Sequence, residues 1–318
     1  MRAAARYPQR TAALVIGLFV VYLIARYGIH DVAQTGLNGL SDGSIYALGA
    51  VGLTLVYGIL KLVNFAHGDF LTFGGYMAFL MNVTWHVPIV PAALFAIATT
   101  AVLGVAFERV MWGPMRRARA GMLQLMLMSI GLSFVIRFGV QYFWGTEIRS
   151  LRVSNTATVS FIGLRIGTTQ LIVIGIGFAV LLGIGALLRW TLLGKRMRAL
   201  SDNLELAETS GIDTQRIVLY TWLFAGGLAG LAGILAGAVI DVEPELGFRL
   251  LLAIFAAVVV GGIGDAFGAL AGGMLLGLVT DWSTLFIASQ WKLAVGFAIL
   301  IITLVVRPQG IFGRARAI

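Results

Sequence analysis

Ile217-Val218-Leu219-Tyr220-Thr221-Trp222-Leu223-Phe224-Ala225-Gly226-Gly227-Leu228-Ala229-Gly230-Leu231-Ala232-Gly233-Ile234-Leu235-Ala236-Gly237-Ala238-Val239-Ile240 runs its whole length without a charged residue. A helix needs about 20 apolar residues to cross a hydrocarbon core, and this stretch has them. Gly226, Gly230, Gly233 and Gly237 recur at i, i+4, i+7 and i+11, so one helix face carries no side chains. In lipid such a face lets two backbones approach closely, which is how membrane helices associate. The expectation is packing, within the chain or between subunits. Gly261, Gly264, Gly268 and Gly272 repeat nearly the same spacing downstream.

The bulk numbers agree. Of 318 residues, 59% are hydrophobic and only 12% charged, and the mean hydropathy is +0.94. A soluble domain carries about twice that charge, so the chain reads as a polytopic membrane protein. The net charge of +9 does not point to nucleic acid, because the basic residues fall in short gaps between apolar runs. There they set topology. Zero cysteines exclude disulfides, thiolate metal sites and cysteine nucleophiles. Three scattered histidines offer no pair at metal-ligand spacing.

Apolar spans are expected at 12–27, 35–60, 70–86, 89–108, 122–143, 169–189, 217–240 and 292–306, with a glycine-broken region at 250–281. The fold class is therefore all-α: one membrane bundle over 1–318, about eight spanning helices plus broken or re-entrant segments. Residues 1–34, with Arg2, Arg6 and Arg10 before an apolar run and no good cleavage site after it, read as an uncleaved signal anchor. Residues 35–313 form the core, and 190–216 a polar loop. Basic clusters at 2–10, 109–119, 189–198 and 307–316 place both termini and that loop in the cytoplasm, and Asp241, Glu243 and Glu245 outside. Region 250–281 must then begin and end outside, as two short half-spans meeting near Gly261-Gly262-Ile263-Gly264-Asp265. Irregular backbone at membrane depth survives only beside protein or a watery cavity. Region 35–86 has a similar outline around Asn64-Phe65-Ala66-His67-Gly68-Asp69, which suggests an internal repeat.

The polar loop carries its own helix signature. Asp202 followed by Glu205 reads as a capping-box start, and Gly211 as a stop. Leu204, Ala207 and Gly211 share a face, with Glu205 and Glu208 beside it and Arg198 upstream. Two turns are unstable alone in water, so the element packs against something. An acidic face suits a cytoplasmic partner better than anionic headgroups.

Ser129, Ser133, Arg137 and Gln141 form a polar stripe at four-residue spacing. Two readings stand: Arg137 lines a watery path, or it snorkels to the nearer surface, on the order of 9 Å away. In Asn64–Asp69, His67 and Asp69 can titrate or bind substrate, or else His67 and Asn64 satisfy backbone groups freed by a helix break. Gly194-Lys195 lacks the upstream glycine of a phosphate loop, so no nucleotide site is expected.

These residues resemble a known family, the branched-chain amino acid permease subunits of bacterial ABC importers, specifically the shorter of the two permeases in each complex. The likeness is carried by Gly39–Tyr76 with its Asn64–Asp69 core, by Arg198–Ile212, and by Gly261–Asp265, Gly268, Gly272-Gly273 and the closing Pro308-Gln309-Gly310-Ile311-Phe312-Gly313. It covers about residues 35–313. The resemblance implies an inner-membrane permease that alternates between outward- and inward-open states. Its implied partners are a second related permease, two ATPase subunits and a periplasmic or lipid-anchored binding protein. No cofactor is bound by this chain, and ATP and magnesium are used by the ATPases. Arg198, Asp202, Leu204, Glu205, Ala207, Glu208 and Gly211 become the coupling segment. Asn64, Phe65, His67, Gly68, Asp69, Gly261, Gly262, Gly264 and Asp265 become structured breaks near the translocation path. A urea or short-amide importer is the alternative. A proton- or sodium-driven carrier, with Asp42 and Asp281 as its carboxylates, is a more distant one.

Overall fold

The computed structural model describes residues 8–153, 157–161 and 163–311. Arg2 and Arg6, Phe312-Gly313 and the basic residues after 311 lie outside them. The elements run α1 (Pro8–Tyr27), α2 (Ile29–Leu60), α3 (His67–Phe79), α4 (Ile89–Phe107), α5 (Gly113–Arg117), α6 (Met122–Trp144), β1 (Thr158–Phe161), β2 (Leu164–Gly167), α7 (Thr168–Trp190), α8 (Leu192–Asp202), α9 (Leu204–Thr209), α10 (Thr214–Val239), α11 (Leu246–Gly261), α12 (Ala266–Ser283) and α13 (Lys292–Val306). Among the described residues seven helices are long and apolar enough to cross a membrane. Each expected span has its helix. The one at 70–86 is shorter than expected: α3 has 13 residues, followed by a π-helical turn at Leu80–Thr84.

The bundle has two distinct ends. At one, Ser201 Oγ donates to Gly58 O at 3.0 Å, and Ile311 N donates to Val260 O at 2.8 Å. α4 runs antiparallel to α10, because Gly104 lies beside Trp222 and Gly226 beside Thr100. The basic residues 109–119, 189–198 and Arg307 therefore gather at this end. The opposite end holds the β1–β2 hairpin, docked on α2 by Gln34 and Arg165, and the bridge between Arg149 and Val242. Asp241, Glu243 and Glu245 lie there, as the charge pattern predicts. Lys292 Nζ also ties α2, α12 and α13 together at that end, 2.5 Å from Asp42 Oδ2 and 2.8 Å from Asp281 Oδ1.

Glycine decides the interior. The face of Gly226, Gly230, Gly233 and Gly237 packs within the chain, against Thr100 and Ala101 of α4, Leu71 of α3, and Val242. Gly74 of α3 meets Gly230, where an added Cβ would stand 2.5 Å from the Gly230 Cα. A second seam joins α2 to α12. There a Cβ on Gly39 would lie 2.8 Å from the Leu278 Cα, and one on Gly43 3.1 Å from the Met274 Cα. Close backbone approach thus takes the place of large interlocking side chains. Aromatic residues fill the remaining core between α3, α4 and α10, with Trp112 and Trp222 stacked at 6.1 Å.

One expectation is corrected here. Helices α11 and α12 do meet at Gly262–Asp265, where Gly262 (φ 111°) and Gly264 (φ 90°) adopt backbone open mainly to glycine. Asp265 caps α12 by accepting from Phe267 N at 3.0 Å. This break does not sit at membrane depth, however. It lies beside Gly58 and Gly310, at the basic end. The reason is where α11 starts. Gly247 packs on Gly68 and Thr72, inside the bundle, so 16 residues, about 24 Å, carry the helix out to the basic end.

Candidate functional site

The buried break is the other one. Helix α2 stops where Lys61 takes a left-handed conformation (φ 53°) and its N–H bonds Tyr57 O. The chain then turns back into the bundle. His67 Nε2 lies 3.0 Å from Gly49 O, eleven positions before the end of α2, or about 16 Å along its axis. Asn64, His67 and Asp69 are all buried. Asn64 Oδ1 accepts from Ala66 N at 3.1 Å, and His67 satisfies a carbonyl of α2. Of the two readings for this segment, Asn64 and His67 follow the one in which they satisfy backbone groups. Gly68 has no room for a side chain, because the backbone of Gly247 lies against it.

The α6 stripe reads this turn residue by residue. Ser129 Oγ accepts from Phe65 N at 3.1 Å. One turn on, Ser133 Oγ donates to Asp69 Oδ2. A further turn on, Arg137 Nε lies 3.0 Å from Asp69 Oδ1, and its Nη2 lies 3.4 Å from Oδ2. The four-residue step of α6 matches the step from Phe65 to Asp69 on the parallel start of α3. Arg137 therefore turns inward and does not snorkel. A guanidinium inside a bundle demands a counter-charge, and Asp69 supplies it. Phe248 of α11 closes over it, its ring centroid 4.2 Å from Cζ. Gln141 lies above the pair, half-buried, its carbonyl accepting from Gly145 N.

Spacing does not pair Asp69 with Arg137, and their opposite charge within the apolar spans is the one signal for it. Phe248 gave no signal in the sequence. Below the pair, toward the basic end, lies an apolar cavity of about 290 Å³, lined by Leu53, Tyr57, Val63, Phe65, Phe255 and Val258 among others. Phe65 and Phe255 stand 5.2 Å apart.

At the basic end the polar loop forms two helices, and its cap is corrected. Asp202 is the last residue of α8. Asn203, in extended conformation, caps α9 by accepting from Leu206 N at 3.0 Å. Both side chains can cap, and α8 running on for one more residue decides between them. Ala207 alone of the expected apolar face is buried, while Leu204, Glu205 and Glu208 are exposed. Leu206 adds an exposed apolar side chain that the spacing did not single out. Gly211 ends the turn at φ 81°. Arg198 reaches back to Leu188 O. α8 is fastened to α2 through Ser201 on Gly58, and Lys61 Nζ lies 3.3 Å from Ser201 O.

Comparison with known proteins bears on this arrangement. Residues 35–304 match the family model described as branched-chain amino acid transport system / permease component. The chain is 32% identical over 301 residues to the high-affinity branched-chain amino acid transport system permease protein LivH of Salmonella typhimurium, covering 88% of this chain and 95% of that one. It is 32% identical to BraD of Pseudomonas aeruginosa, at 90% and 97% coverage. It is 28% identical to the ribose import permease protein RbsC of Escherichia coli, at 85% and 84% coverage.

Proposed function

Because the chain belongs to the branched-chain amino acid transport system permease family, we propose that it conducts amino acids with aliphatic side chains across the inner membrane as one subunit of an ABC importer. The observation that carries this reading is mechanical. An exposed acidic two-turn helix, α9, is joined through α8 to the end of α2, six residues before the buried break. The gathering of basic residues supports a cytoplasmic position for that end. ATPase subunits dock on α9 there, with Glu205 and Glu208 as the charged contact and Leu204 and Leu206 as the apolar one. Motion of the motor reaches α2 through Ser201 and Lys61, and the Asn64–Asp69 turn through α2. A second permease completes the path, and a binding protein outside delivers substrate to the end carrying Asp241–Glu245. The two conformations need differ by only a few kcal/mol for each nucleotide state to bias one of them.

The likeness to a ribose permease supports a sugar as the second reading. Uptake of labelled leucine and ribose by the assembled importer in proteoliposomes decides between them. Leucine uptake that needs ATP, the ATPases and the binding protein is the expected result. Uptake that persists without the ATPases and collapses with a proton uncoupler overturns the importer reading.

A further inference from the structure

We propose that Arg137 reads the carboxylate of the transported amino acid, at the point where Phe134 of α6 and Phe248 of α11 flank its guanidinium beside the start of α3. This deepens the amino-acid reading above and rests on it. A guanidinium carries five N–H donors and no acceptor. Asp69 engages Nε and Nη2, and Ser133 Oγ lies 3.2 Å from Nη2. Nη1 donates to no described residue, and the side chain keeps 10% of its surface exposed. Among the described residues Arg137 is the only lysine or arginine that is buried. It keeps the Nη1 donors without a partner among the described residues, although its side chain is nine-tenths buried.

The rings beside the guanidinium suit an apolar amino acid. Phe134 of α6 and Phe248 of α11 place their rings 5.8 and 4.2 Å from the guanidinium carbon, and both rings are nearly half exposed. α3 begins only at mid-depth, as His67 on Gly49 shows. The apolar cavity bordered by Phe65 and Phe255 lies toward the basic end, and Phe65 stands four residues before Asp69 in the chain. Free guanidinium donors facing lipid would be costly, so water or protein covers them. Planar N–H donors suit a carboxylate, and the rings and then the cavity suit an aliphatic side chain. Asp69 is the positioning residue: it fixes the guanidinium through Nε and Nη2, leaves Nη1 unpaired and neutralises the site. A neutral site holds a zwitterion weakly enough to release it, as conduction requires.

The chain has no cysteine, so F138C gives the permease a single exposed thiol beside Phe134, on which Phe138 stacks. In the assembled importer, millimolar L-leucine is expected to slow alkylation of F138C at least threefold. L-leucinamide, which lacks the carboxylate, is expected not to. The protection is expected to vanish in F138C/R137Q and to return in part in F138C/R137K. No protection by leucine, equal protection by leucinamide, or full protection in the R137Q background overturns the proposal. If the F138C importer takes up leucine with ATP yet shows no protection, only the carboxylate site fails. If it takes up none while the cysteine-free chain does, the same alkylation series at F248C decides. If neither chain takes up leucine, the amino-acid reading fails with it.

Discussion

Ser201 Oγ donates to the carbonyl of Gly58 at 3.0 Å, so the last turn of α8 is fastened to the last turn of α2. The surface segment offered to the motor is thereby one step from the helix that feeds the buried turn. Charge reversal on α9 tests the first link. E205K/E208K is expected to insert and fold normally, because both side chains are exposed, and to lose ATP-driven uptake at least tenfold. Normal uptake by the double variant would refute docking on this helix.

The contact of Gly68 with Gly247 leaves no space for a methyl group. G68A is expected to cost about 1–3 kcal/mol through forced separation of α3 and α11, seen as a lower melting temperature in detergent. G131A is the control. Gly131 lies in α6 with nothing near its Cβ position, so the substitution is expected to be neutral or to add about 0.5–1 kcal/mol of helix stability.

Removing one member of the Asp69–Arg137 pair leaves an uncompensated charge inside the bundle. D69L and R137L are each expected to destabilise by about 3–5 kcal/mol. The double variant D69L/R137L should recover most of that loss, since no bare charge remains, while still failing to transport. Thermal melts of the three proteins check the non-additivity. Additive losses would show that the two side chains do not interact.

Lys292 stands between two carboxylates, Asp42 and Asp281. K292M leaves them facing each other and is expected to destabilise by about 3–5 kcal/mol, read by the same melts. D42N, which keeps one ion pair, should cost less and leave ATP-driven uptake intact. Loss of uptake in a well-folded D42N protein would revive an ion-coupled mechanism.

Hydropathy made the spans legible, because length and apolarity are all that a crossing helix needs. The glycine ridge of α10 was legible for the same kind of reason: Gly226 to Gly237 keep a helical period that only packing explains. The depth of the breaks was not. Gly261–Asp265 and Asn64–Asp69 look alike in sequence, yet one ends at the surface and the other turns back inside. What separates them is Gly68 against Gly247, a contact between halves of the chain that no local pattern encodes. Arg137 posed the same difficulty. Its spacing with Ser129 and Ser133 defined a face, but only the folded position of Asp69 decided which way that face turned. The cap at Asn203 was missed by one residue, since Asp202 has equal capping chemistry and α8 absorbed it.

The seam between α2 and α12, where Gly39, Gly43, Gly273 and Gly277 bring two backbones together, has few knobs to lift out of holes. Helices meeting so smoothly can slide past one another by an ångström or two without a rotamer changing. A shear of this kind suits a device that must cycle quickly and return to the same register each time.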